Sequence, residues 1–196
     1  MWNSGNSRVS VHINRDPAVN FHHATRVAAL QGEPLNWMVS INFSLLSVKP
    51  QDASGLLQKL IGQRFAPWLR RTASNDNQIR PTYVWSIEAP NGSLNGHWLV
   101  HLPKRLSASF GARLESWAEG LTGLPPQPHA IHIQPIYNLI GARRYALKGI
   151  NPVWAKHLGI AHVPQGVVIG KRSGFSRNLG PTARKRSGYK PRRHQY

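Results

Sequence analysis

The 196-residue chain has no cysteine, only seven acidic residues, and no stretch approaching the roughly 20 apolar residues of a transmembrane helix. The first absence rules out a disulfide framework, thiolate nucleophiles and any cysteine-ligated zinc site. The missing apolar run leaves no bilayer span, and the opening Met1-Trp2-Asn3-Ser4-Gly5 lacks the basic-then-apolar order of a signal peptide, so the cytoplasm is the expected location. The scarcity of acid is the most informative. Against seven Asp and Glu stand 25 Lys and Arg, a formal charge of +18 that repels itself unless a polyanion is present. Nucleic acid is the expected partner, with no membrane association. Gly170-Lys171-Arg172-Ser173-Gly174 lacks the Gly-Lys-Ser/Thr ending of a phosphate-binding loop, which leaves no case for nucleotide hydrolysis.

The length accommodates one compact domain and a tail. Residues 1–30 read as a leader, partly disordered and helical from about Phe21 to Gln31. Trp37 to Leu46 is dense in β-formers, with Val39, Ile41, Phe43 and Leu45 alternating onto one face. Asp52 can cap a helix carrying Leu56, Leu57, Leu60, Ile61, Phe65, Trp68 and Leu69 at helical spacing, ending at Arg70-Arg71. Strands from Thr82 to Glu88 and from Asn95 to Leu102 flank the turn Pro90-Asn91-Gly92-Ser93 and form a hairpin. A helix after Ser107, a strand from Ala130 to Ile136 and a helix from Asn138 to Gly149 follow. This order of strand, helix, strand, strand, helix, strand, helix is that of an α+β, ferredoxin-like sheet of four to five antiparallel strands, its helices mainly on one face. Residues 31–165 form that expected domain. Residues 166–196, rich in Gly and base, read as a flexible arm that contacts phosphates through Lys171, Arg172, Arg184, Lys185 and Arg186.

Two groups of residues carry chemistry. Residues two apart on a strand share a face, so Asn95, His97, Leu99 and His101 project together, and a short hairpin brings Glu88 near Asn95 and His97 if the register puts them on one side. A carboxylate, an imidazole and an amide oxygen form a seat for Mg²⁺ or Mn²⁺; equally, they are sheet histidines bonded to neighbours and a glutamate paired with arginine. In Arg143-Arg144-Tyr145-Ala146-Leu147-Lys148-Gly149, Tyr145 and Lys148 lie three apart on one helical face. A nearby cation favours the phenolate, a competent nucleophile for a phosphodiester, although a tyrosine there also suits packing at the core edge. The seven tryptophans sit at apolar positions and read mostly as core, with Trp98 and Trp154 open to base stacking. His22, His23, His129 and His132 have no acidic partner close in sequence.

The order of these segments resembles the HUH endonucleases, the initiators of rolling-circle DNA replication. Leu35-Asn36-Trp37-Met38-Val39-Ser40-Ile41-Asn42-Phe43 is similar to their first motif. Asn95-Gly96-His97-Trp98-Leu99-Val100-His101-Leu102-Pro103 is similar to the second, with Asn95 where the family has its first histidine. Arg144-Tyr145-Ala146-Leu147-Lys148-Gly149-Ile150 resembles the third, and Gln165 to Arg172 the segment beyond it. The resemblance spans about residues 30 to 185. It implies site-specific nicking of single-stranded DNA or an origin hairpin, with Tyr145 as nucleophile joined to the 5′ phosphate. It further implies a divalent Mn or Mg ion on His97, Glu88 and Asn95, and Lys148 beside the phosphate or the tyrosine. Arg143 and Arg144 would lie on the DNA, a host helicase and polymerase would cooperate, and the setting would be a bacterial nucleoid or a plasmid- or phage-like replicon. Asn95 leaves a second reading open, an HUH-fold protein that binds DNA or RNA without cutting it. A basic RNA-packing protein would account for the charge but not for the motifs.

Overall fold

The computed structural model describes residues 8–72 and 79–191. The chain opens with β1 (Val9–Ser10) and α1 (Arg15–Leu30), followed by β2 (Trp37–Asn42). Next come α2 (Ala53–Lys59), a π-helical segment (Leu60–Phe65) and α3 (Ala66–Thr72). Strands β3 (Tyr83–Glu88) and β4 (Asn95–Val100) form the hairpin, and α4 (Ser107–Thr122) and β5 (Ile131–Pro135) follow. The remainder is α5 (Leu139–Ala146), α6 (Pro152–Ala155), β6 (Val168–Ile169), β7 (Ser173–Phe175) and α7 (Pro181–Arg186). The protein is α+β, with an antiparallel sheet in the order β5-β2-β4-β3-β7 and a small β1-β6 pair beside it. Among the described residues no helix is long and apolar enough to cross a membrane.

The alternation read from β2 is what divides the molecule. Val39 and Ile41, with Trp85, Ile87, Trp98 and Val100, face the helices of residues 53–72 and α4. There Phe65, Trp68, Trp98 and Phe110 pack edge to face or tilted, with ring centroids 4.9–6.2 Å apart. Each fully buried aromatic or aliphatic side chain contributes about 1.5–3 kcal/mol. Trp98 is wholly buried here, so it packs the core and offers no surface to a base. Strand β2 ends at Asn42, four residues earlier than its β-formers suggest, because the Asn42 side chain accepts from the amides of Ser44 and Leu45 and turns the chain.

The opposite face of the sheet corrects the expectation that helices lie mainly on one side. Met38, Val84 and Leu99 point there and are covered by α1 together with Ala146, Leu147 and Ile150. Residues 15–30 are thus no leader: Ala18, Phe21, Ala24, Val27 and Ala28 are buried at helical spacing. The small side chains that let this helix sit close to the sheet also give it little hydrophobic signal, and Pro17 in the first turn fits the unbonded start of a helix.

The expected flexible arm is a second correction. Over residues 166–191, β7 pairs with β3 as a fifth strand, and Val168, Arg172, Ser176, Leu179 and Arg184 are buried. Tyr189 closes the segment onto α1, its hydroxyl 3.0 Å from His23 Nδ1. Short strands broken by glycine carry too little periodicity to be read from sequence. The last basic run, Arg192-Arg193-His194-Gln195-Tyr196, lies outside the described residues.

Candidate active site

Strand register decides whether the hairpin carries a site. Ser86 stands opposite His97, and Glu88 opposite Asn95, so all four side chains share the face that α1 and α5 cover. On the other flank of β4, Ser40 stands opposite His97 and Asn42 opposite Asn95. A polar row therefore crosses an otherwise apolar face. Helix α5 begins at Asn138, whose side chain accepts from Gly141 N at 2.9 Å and fixes the start of the turn. The helix then delivers Tyr145 to this row, and the turn after it delivers Lys148.

The groups meet closely. His97 Nε2 and Lys148 Nζ each lie 3.0 Å from Glu88 Oε1. Lys148 Nζ also sits 3.9 Å from the centre of the Tyr145 ring, and the His97 ring meets that ring edge-on at 4.8 Å. Ser40 Oγ lies 3.3 Å from His97 Nδ1, while Ser86 Oγ donates to Ala146 O at 2.7 Å and ties the end of α5 to the sheet. Glu88 and His97 are buried, whereas Tyr145 is 46% exposed. The acid and the imidazole thus form a shielded floor, and the phenol is open to solvent. Beside Tyr145 runs a groove of about 670 Å³, walled by Met38, Gln134, Ile136, Tyr137 and Asn138.

The charges at Glu88 oppose one another. Burial raises its pKa, but the contacts and charge of His97 and Lys148 outweigh burial and hold the carboxyl below its ordinary value. A depressed folded-state pKa means that the ionised carboxylate stabilises the fold above the ordinary range and ceases to do so as pH falls through the depressed value. The difference in urea midpoint between the wild type and Glu88→Gln is therefore expected to be widest near neutrality and to close below about pH 4. A difference that stays constant into acid would mean that Glu88 acts by packing alone.

The expected metal ligands are only partly assembled. Glu88 Oε1 and His97 Nε2 converge to 3.0 Å in the buried floor. Asn95 shares their face, with its amide nitrogen donating to Ser93 O at 3.1 Å. Among the described residues no group of three His, Asp or Glu is placed to hold a metal. A carboxylate, an imidazole and an amide are donor types that hold divalent ions, but here Lys148 Nζ already engages the Glu88 oxygen that His97 approaches.

The basic residues separate into two kinds. Arg144, Lys171, Lys185 and Arg186 are exposed. Burial first, then the neighbouring guanidiniums of Arg144 and Arg26, lowers the pKa of Arg143. Arg172 and Arg184 correct the expectation that they contact phosphate as parts of an arm. Arg172 donates through its terminal nitrogens to the carbonyls of Ser10, Gly166 and Gln165 at 2.8–2.9 Å. Arg184 bonds the Asn20 side chain on α1. Ser40, Ser86 and Tyr137 were not among the expected site residues. Ser40 was within reach of sequence reasoning, since it alternates with Met38 and falls opposite His97 once the strands are aligned.

No family model matches this chain, and no curated protein matches it.

Proposed function

We propose that the protein is a DNA nickase and strand transferase of the HUH type, which joins Tyr145 to the 5′ phosphate of a cut strand. One observation carries this reading: Glu88, His97, Tyr145 and Lys148, drawn from a hairpin and from a helix and its following turn some fifty residues apart, meet at one sheet face with the tyrosine the most exposed of the four. The charge of +18 and the strand order β5-β2-β4-β3, which is that of a split β-α-β unit, support it.

In the proposed reaction the Tyr145 oxygen bonds to phosphorus, the bond from phosphorus to the 3′ oxygen breaks, and that oxygen leaves with a proton as a free hydroxyl. The phenol loses one proton and the leaving group gains one, so no further reactant is required. Lys148, held over the Tyr145 ring by Glu88, balances the negative charge that gathers as the bond forms. Ser40 restrains the His97 imidazole, and Ser86 anchors the end of α5, which limits the drift of Tyr145 from the floor. A divalent ion on Glu88, His97 and Asn95 would polarise the scissile phosphate.

Incubation with pooled single-stranded DNA and Mn²⁺ is expected to yield an adduct that survives denaturant and is absent in EDTA. Tight, salt-sensitive binding without an adduct on any origin-like substrate would favour the second reading, a binder that does not cut. That reading has its own support, since Asn95 stands in place of a histidine and Lys148 already engages the carboxylate. The two also differ in metal affinity. Asn95→His is expected to tighten Mn²⁺ binding at least tenfold, equivalent to ~1.4 kcal/mol. Unchanged calorimetric affinity would remove Asn95 from the metal shell.

A further inference from the structure

The groove of about 670 Å³ beside Tyr145 has a lining that the nicking chemistry leaves unused. Met38, Ile136 and Ala142 give it apolar walls, and Gln134 and Asn138 set exposed amide side chains at its rim. Among the described residues neither a carboxylate nor a cation lines it. Tyr137 borders it too, almost wholly exposed, and no aromatic or cationic side chain packs on its ring among the described residues. Ile140, in the first turn of α5, is exposed as well, so the apolar surface at this end of the site is more than one side chain.

The exposed ring stands on a fixed backbone. On one side Ile136 N donates to Asn36 O at 2.8 Å. On the other, Asn138 starts α5, its Oδ1 accepting from Gly141 N at 2.9 Å and its carbonyl from Ala142 N at 2.9 Å. That cap occupies the Asn138 oxygen and leaves its amide nitrogen able to donate. A ring whose backbone is already held costs little further ordering when a flat partner stacks on it.

The lining selects the partner by its chemistry. An uncharged groove with an open aromatic face and two amides, on a chain of net charge +18, matches a flat ring with polar edges carried on an anionic backbone. The groove volume lies within the range of small-ligand sites, roughly 300–1,000 Å³. Phosphates would stay outside it, near Arg144, which is exposed next to Tyr145. We propose that this groove is a base-stacking subsite for single-stranded nucleic acid, in which the Tyr137 ring takes the face of one base and the Gln134 and Asn138 amides meet its edge. The helix from Asn138 to Tyr145 spans about 10 Å, so the stacked base sits near the phosphate that Tyr145 attacks without touching the reacting atoms. That placement rests on the nickase reading of Tyr145, whereas the stacking itself requires binding alone.

The test measures affinity by fluorescence anisotropy, in EDTA so that cutting plays no part, for labelled oligothymidylate and for an abasic strand with the same number of phosphates. Tyr137→Ala should bind oligothymidylate about 5- to 150-fold more weakly than the wild type, at an equal melting temperature. The slope of log K against log salt should stay the same, because no phosphate contact is lost. Tyr137→Phe keeps the ring and should bind as the wild type does, and on the abasic strand all three proteins should be alike. Wild-type affinity in Tyr137→Ala, an equal loss on the abasic strand, or the same loss in Tyr137→Phe would overturn the proposal. Unaltered affinity with a sedimentation mass that halves in Tyr137→Ala would assign the groove to a second copy of this chain instead. The expected affinity pattern with no covalent adduct in Mn²⁺ would keep the subsite and remove the nicking reaction, and an adduct with unaltered affinity would do the reverse.

Discussion

Replacing Tyr145 with phenylalanine is expected to abolish covalent capture of DNA, a loss of at least about 10⁴-fold, while leaving folding and DNA affinity unchanged. The substitution removes one oxygen and little else. The ring keeps its edge contact with His97 at 4.8 Å and its place beneath the Lys148 ammonium at 3.9 Å. The side chain is nearly half exposed, so no core is disturbed. Rate loss without a change in melting temperature would therefore report on chemistry. Adduct formation by Tyr145→Phe at the wild-type rate would send the search for the nucleophile elsewhere in the groove.

Ending the chain at Gln165 is expected to destroy cooperative unfolding. The removed segment supplies β7, which completes the sheet on β3, and the buried side chains Val168 and Leu179. It also supplies Arg172, whose loss strands the carbonyl of Ser10, and Arg184, which holds α1 through Asn20. Each apolar side chain is worth about 1.5–3 kcal/mol. Each stranded buried carbonyl costs a further 1–3 kcal/mol or so. Against a total stability of about 5–15 kcal/mol, such a loss leaves little margin. A sharp urea transition in residues 1–165 would restore the view of the segment as a dispensable arm. Within it, Gly166 is the sharpest single test, because its backbone is left-handed (φ +58°) and a Cβ there would lie 2.0 Å from the Ala89 carbonyl oxygen.

Much of the centre was legible from residues alone. β-branched alternation located β2, and the short turn at Pro90 to Ser93 constrained the hairpin so that Glu88 and His97 shared a face. The spacing of Tyr145 and Lys148 brought them together. What was not legible depends on partners distant in sequence. An arginine in a glycine-rich run reads as solvated, and only the cage of three carbonyls makes Arg172 an interior residue. Helix α1 is Ala-rich and carries His22-His23, so its buried stripe gives a weak signal until the face it covers is known. The expected metal ligands are only partly assembled for a related reason: spacing brings Asn95 to the same side of the sheet, but it does not reveal that its amide nitrogen donates to Ser93 O.

Tyr137 offers the strictest comparison for the central claim, since it is 94% exposed and lines the same groove as Tyr145. The most direct measurement is to trap the protein on single-stranded DNA with Mn²⁺, digest both, and locate the nucleotide-bearing peptide by mass spectrometry. The expected result is a phosphodiester remnant on Tyr145 alone. A remnant on Tyr137, on a serine or on no residue at all would contradict the assignment of Tyr145 as the nucleophile.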